Sequence, residues 1–283
     1  MPLICFASPN GGVGRTTFAA NIARALLRAG TRMVALDLDP QNTLGMHFGM
    51  DLRDAFGFLA TARYAADPRA AWRAALRATS SGVAYLPHGQ IGLDGAVQLN
   101  QALAATPEIL AAPVRDMLSV QGVTIVADLP PGPSPALAAL LPLIDLMVVP
   151  MLADAVSMAQ IPGIEAGRFT GAVSGHGLPA DRVVFVLNQL DRRNRLARAT
   201  ADAATLHLGR RLVGVVHRDE HVPEAIAAQR LLVDVAPGAR ATQDIDAVAQ
   251  AIGYVIAQRQ TSGQAAPTDV PSTPPTDAHG ATP

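Results

Sequence analysis

Lysine is missing from this chain of 283 residues, and all 22 basic side chains are Arg. Without an ε-amine there is no Schiff-base chemistry, no desolvated amine acting as a general base and no lysine clamp on a phosphate. Cysteine occurs once, at Cys5 in an apolar run, which excludes a disulfide framework and a cysteine metal cluster. Charge of either sign is not in excess. A formal net charge of -1 gives no general attraction to nucleic acid or anionic membrane, so any such contact must be local. Apolar runs never approach the roughly 20 residues of a spanning helix. The start, Met1-Pro2-Leu3-Ile4, has no basic region ahead of a long apolar segment, and the expectation is a soluble cytoplasmic protein.

What the chain does have is core-forming material, since 49% of its residues are hydrophobic and its length suits one large domain or two small ones. Short apolar runs bounded by Gly, Pro or Asn alternate with Ala-rich stretches of helical period, the pattern of repeated βα units. Strands are expected at 3–7, 33–38, 83–86, 123–128, 146–150, 183–188 and 212–216. Helices are expected to begin near Thr16, Pro68, Glu108, Pro135, Ala155, Asn194, Pro223 and Asp244. Most strands lack in/out alternation, as in a parallel sheet covered on both faces. The expected architecture is therefore α/β: a doubly wound, mostly parallel sheet of seven to eight strands with helices on both faces. Between Gly45 and about Ser81 the pattern changes without a clear strand. The last helix carries Ile245, Val248, Ile252, Val255 and Ile256 on one stripe and is expected to stop at Arg259. Residues 1–260 then form a single domain, and the Pro-rich tail 261–283 is too poor in large apolar residues to order itself.

The first strand runs straight into Ser8-Pro9-Asn10-Gly11-Gly12-Val13-Gly14-Arg15-Thr16-Thr17, and a helical period follows through Phe18, Ile22 and Leu26. Strand, glycine loop and helix together aim backbone N–H groups and the positive helix end at a polyphosphate. The Thr16 hydroxyl stands where a Mg²⁺ ligand would. Against the common phosphate-loop pattern there are two departures, Pro9 for Gly and Arg15 for Lys. Two later strand ends are acidic: Asp37-Leu38-Asp39-Pro40-Gln41, and Asp128-Leu129-Pro130-Pro131-Gly132. Each Asp alone could be a helix cap or turn residue. Three of them in order behind a glycine loop point to one crevice, because a doubly wound sheet gathers its carboxyl edges there.

These three segments resemble the deviant phosphate loop, the second nucleotide motif and the magnesium-side motif of the ParA/MinD ATPases, over roughly residues 1–258. Pro87-His88-Gly89-Gln90 and the stretch 212–228, with His217-Arg218-Asp219-Glu220, are similar to the cellulose-biosynthesis branch of that family. The resemblance implies a P-loop NTPase fold, ATP or ADP with Mg²⁺ as ligands, and a homodimer closed across nucleotide. It implies that Gly11, Gly12, Val13, Gly14 and Arg15 wrap the β and γ phosphates, that Thr16 coordinates Mg²⁺ and that Thr17 touches the α phosphate. By the same likeness Asp39 orients the attacking water, Asp37 and Asp128 hold the metal, and Asn188 reads adenine. His217 and Arg218 lie in the loop over the base, and Asp154 reaches the partner subunit's nucleotide. Partners by resemblance are the cellulose synthase complex and its small cytosolic accessory proteins, with recruitment to the inner membrane through them.

Asn10 is the departure with most consequence, since the family carries there a signature Lys that crosses the dimer to the partner's phosphates. A cation supplied across an interface is worth about 10³ to 10⁵ in rate, so Asn10 and Arg15 together imply nucleotide binding with slow or absent hydrolysis. The alternative is a cycling ATPase that partitions DNA or positions a protein cargo, with Arg15 substituting for Lys. Arg192, Arg193, Arg195, Arg198, Arg210 and Arg211 form the one concentrated basic region, readable as a solvated face, a surface for an acidic partner or a DNA contact. No aromatic residues interleave there and nucleic-acid binding is not expected. The last helix lacks the basic amphipathic face of a direct membrane anchor. His217 and His221 at four-residue spacing lack a third metal ligand, and His47, His88, His176 and His207 suggest no chemistry.

Overall fold

Each apolar run read as a strand becomes one, and all pair in a single sheet of the computed structural model, which describes residues 2–51, 53–62, 67–169 and 177–264. The strands are β1 Leu3–Phe6, β2 Arg32–Asp37, β3 Arg77–Ala78, β4 Ala84–Leu86, β5 Val123–Asp128, β6 Leu146–Leu152, β7 Val183–Leu190 and β8 Leu212–His217. Their order is β3-β4-β2-β5-β1-β6-β7-β8. All neighbours run parallel except β3, a two-residue edge strand antiparallel to β4. The helices are α1 Arg15–Arg28, α2 Phe58–Ala62, α3 Pro68–Ala75, α4 Leu93–Ala105, α5 Glu108–Leu118, α6 Pro135–Leu140, α7 Ala155–Glu165, α8 Arg195–Leu208, α9 His221–Ala227, α10 Leu232–Val235 and α11 Arg240–Gln264.

The strand residues feed two separate apolar layers. In β1, Leu3 and Cys5 join the layer built with α2 to α8, whereas Ile4 and Phe6 join the layer built with α1 and α9 to α11. Burial on both faces explains why no polar alternation shows in the sequence. It also places Cys5, fully buried, where the apolar surroundings push its thiol pKa up and leave it inert. The Phe6 and Phe18 rings stack at 6.5 Å and bind β1 to the first turns of α1, fixing the glycine loop at both ends.

Three features were not legible. Helix α4 went unread because only Leu99 and Leu103 of its residues are buried, too short a stripe to impose a period, and Gly95 lies in its first turn. The segment 45–81 holds the short helix α2 and the edge strand β3, each too brief to carry a pattern of its own, on either side of α3, which begins at Pro68 as expected. The final helix does not stop at Arg259 but continues to Gln264. Its stripe packs as expected on β8 and α1, with Ile245, Val248 and Ile252 at most 4% exposed. The tail beyond Gln264 and His176 lie outside the described residues.

Candidate functional site: a phosphate loop and its crevice

Parallel strand order brings the carboxyl ends of β1, β2, β5 and β7 to one edge, and a cavity of about 530 Å³ opens there. That size suits a small-molecule ligand. Gly12, Gly14, Thr16 and Thr17 line one end, at the start of α1. Val222, Pro223 and Ile226 of α9 with Ile245 of α11 form an apolar wall at the other, beside Asn188, His217 and Arg218. Sequence reading missed that wall, although the apolar spacing of Val222 and Ile226 was there to be seen. It also missed Gln41, which lines the cavity beside Asp39.

Gly14 adopts φ +92, and a Cβ there would lie 2.4 Å from Asn188 Nδ2. Only glycine satisfies both the backbone and the contact. Asn188 braces the loop by donating from Nδ2 to the Val13 carbonyl at 2.9 Å, while its Oδ1 accepts the Gln189 N–H at 2.9 Å. One N–H and one lone pair remain for a ligand.

The acidic residues divide into distinct roles. Asp37 and Asp128 pair in register on adjacent strands and are fully buried. Asp37 is occupied by its own turn: Oδ1 accepts the Asp39 N–H and Oδ2 the Leu44 N–H, both at 3.0 Å. Burial and the Asp128 charge hold its carboxyl well above the usual range despite those two bonds. Asp128 has no hydrogen-bond partner on either oxygen among the described residues. Burial pushes its pKa up to about 7, against the opposing pull of the nearby Thr16 hydroxyl and Arg15 guanidinium. A buried, unpartnered carboxylate is costly, and this one sits next to the Thr hydroxyl of a phosphate loop. The donor set, Asp128 and Thr16 oxygens with a second carboxylate behind, fits a hard divalent cation.

Arg15 does not point freely into the cavity. Its Nη1 donates to the Leu129 carbonyl at 2.8 Å and its Nη2 lies 3.6 Å from Asp39 Oδ2. Asp39 also accepts the Gln41 N–H at 2.9 Å. Asn10, Gly11, Val13, Asp37, Asp128 and Asp154 do not line the cavity. Asn10 is half-buried on the crown of the loop, its N–H donating to Ser8 Oγ at 3.3 Å, and Asp154 caps α7 by accepting the Ser157 N–H at 2.7 Å. His217 and His221 do not share a site but each holds a carboxylate, Asp244 and Asp219 respectively.

Pro87-His88-Gly89-Gln90 follows β4 and borders the acidic cluster. The Tyr85 hydroxyl lies 3.5 Å from Asp37 Oδ2 and 3.3 Å from Asn42 Oδ1, and Asn42 Oδ1 accepts the Gly89 N–H. Beyond it, the loop pairs with the segment at α2: Phe58 donates to Pro87 O, Ala60 to His88 O and Gln90 to Ala55 O. Burial holds the His88 pKa down, and burial alone takes His47 to about 4. The basic region is divided, Arg193 pairing with Asp191 while Arg211 pairs with Glu165 and lies over the Phe185 ring. Arg192, Arg195 and Arg198 are exposed at the start of α8.

The sheet order, the glycine loop and the acidic strand ends define a P-loop ATPase of the ParA/MinD class. The chain is 27% identical to the chromosome-partitioning ATPase Soj of Thermus thermophilus over 249 residues, 83% of this chain and 88% of that one. Its fold matches the cell division ATPase MinD of Pyrococcus furiosus with a TM-score of 0.69 at 21% identity, over 90% of this chain and 99% of that one. It matches the Mg-ADP complex of MinD from Pyrococcus horikoshii with a TM-score of 0.66 at 19% identity, over 89% and 95%. The family model of the cellulose biosynthesis protein BcsQ matches residues 1–252, and the chain belongs to that family. Among the described residues no helix is long and apolar enough to cross a membrane.

Proposed function

We propose that this protein binds ATP or ADP with Mg²⁺ in the crevice, dimerises across the nucleotide and serves as an assembly factor for bacterial cellulose biosynthesis, with slow or absent hydrolysis. The observation that carries the binding reading is the unpartnered carboxylate of Asp128, buried beside Thr16, which lines the phosphate end of a ligand-sized cavity. When bound, the metal would neutralise charge on the β and γ phosphates. Asp128 and Thr16 would hold it, with Asp37 as the fixed carboxylate behind them. The amides of Gly11 to Thr17 and the positive end of α1 would receive the phosphates. Thr17 would meet the α phosphate, and the wall of Val222, Pro223, Ile226 and Ile245 would take the base.

Slow turnover follows from Asn10 and Arg15. Asn10 is neutral and too short to reach a partner's phosphates, and Arg15 is held by Leu129 and by Asp39, the residue assigned to orient water. Nucleotide then acts mainly as ligand glue, coupling dimer stability to occupancy by mass action. The cellulose role, with the synthase complex and its small cytosolic accessory proteins as partners and recruitment to the inner membrane through them, rests on family membership. Asp154, at the N-terminus of α7 on the same sheet edge, is the acidic residue assigned to reach the partner subunit's nucleotide. Calorimetric titration with ATP and Mg²⁺, followed by light-scattering mass of the oligomer, tests binding and dimerisation. Absence of binding defeats the reading, and phosphate release near one per second defeats slow turnover.

A further inference from the structure

Asp244, at the fifth position of α11, has both oxygens committed near the base end of the cavity. Its Oδ2 accepts the backbone N–H of His217 at 3.0 Å and lies 2.8 Å from Nδ1 of the same residue. Its Oδ1 lies 3.0 Å from Nε of Arg240, one turn earlier. The side chains of Asp244 and His217 are 10% and 15% exposed, so water competes little for these bonds. A carboxylate paired with arginine only accepts hydrogen bonds, which requires Nδ1 to carry the proton. With a single proton on the ring, the second nitrogen, Nε2, is then an acceptor. His217 lines the cavity beside the apolar wall, and its Nδ1 is already taken.

We propose that Asp244 is a positioning residue that fixes the His217 tautomer, so that the cavity offers the base a hydrogen-bond acceptor and selects adenine over guanine. Adenine carries an amino group at C6 and donates to such an acceptor. Guanine carries a carbonyl oxygen there, and two lone pairs would face each other. Asn188, with one N–H and one lone pair to spare, accommodates either base and does not discriminate alone. A site that leaves a buried polar group unpaired against the wrong ligand discriminates more strongly than one that merely loses apolar contact. This inference rests on the nucleotide-binding reading above and deepens it.

The test compares binding of Mg-ADP and Mg-GDP by the full chain in equilibrium dialysis. The wild type is expected to favour ADP by about tenfold or more. In Asp244→Ala the Nδ1 proton has no partner, the ring is free to take the Nε2–H form, and the ratio is expected to fall toward one. His217→Ala should lower the ratio likewise. Nitrogen-15 spectra of the ligand-free wild type, with the His217 signal assigned by its loss in His217→Ala, should show the proton on Nδ1. Equal wild-type affinities, an unchanged ratio in His217→Ala, or a proton on Nε2 in the wild type would each overturn the proposal while leaving nucleotide binding intact. Failure of the wild type to bind either nucleotide overturns the proposed function itself.

Discussion

Arg15 and Asp39 face each other 3.6 Å apart at the foot of the phosphate loop, each side chain 7% exposed, and the other arm of the guanidinium holds the Leu129 carbonyl at 2.8 Å. One side chain thus ties the loop to both acidic strand-end segments. Phosphates entering the loop must compete with Asp39 and Leu129 for that guanidinium.

If the pair opposes ligand entry, Asp39→Asn should tighten Mg-ADP binding severalfold and lower ligand-free stability by about 3 kcal/mol, the scale of breaking a buried ion pair. The tightening should shrink, though not to nothing, when the same substitution is made in Arg15→Ala, since removing a carboxylate near phosphate acts in either background but releasing the guanidinium does not. Dialysis and denaturant unfolding measure both. Weaker binding by Asp39→Asn rules the clasp out.

Restoring both loop lysines, Asn10→Lys with Arg15→Lys, should raise phosphate release at least tenfold, because a cation at the transferring group acts mostly in the transition state. A rate equal to that of the wild type removes the roles given to these positions.

Asp128 makes ligand-free stability pH-dependent in a definite direction. Its folded pKa, raised to about 7 from an ordinary 3.8, means that its contribution is fully present below about pH 4 and lost as pH rises through 7. Asp37 is raised in the same sense. Asp128→Asn should therefore be more thermostable than wild type at pH 8, with the gap shrinking toward pH 5. A gap independent of pH contradicts this.

Gly57 meets the Pro87–Gln90 loop backbone to backbone, and a Cβ there would lie 2.1 Å from Gly89 N and 2.5 Å from the His88 carbonyl carbon. Neither atom can turn aside as a side chain could. Gly57→Ala should cost about 2 kcal/mol or more in denaturant unfolding. A change below about 0.5 kcal/mol would show that the loop is free to move.

The departures from expectation share a cause. Strands of four to eight residues buried on two faces announce themselves as apolar runs, and the long helices flanking them carry enough buried positions to show a period. Helix α4, burying Leu99 and Leu103, and strand β3, two residues long, take their structure from neighbours. In the candidate site, glycine spacing marked Gly14 and Thr16, which line the cavity, and the acidic strand ends marked Asp37 and Asp128, which lie buried in register on adjacent strands. No local pattern could mark Asp244, which meets His217 only because α11 returns across the sheet edge 27 residues later.

The sequence by itself determined the sheet, the glycine loop, the two acidic strand ends and the absence of any lysine to serve them. Those are properties of short segments, set by burial, backbone freedom and residue chemistry at fixed spacing. Tertiary structure decided which carboxylate is free and which is occupied, Asp128 against Asp37, and where Arg15 points. It also decided which nitrogen of His217 is left for a ligand. Each of these depends on a partner far away in the chain, because hydrogen bonds in a buried crevice are apportioned by proximity in space.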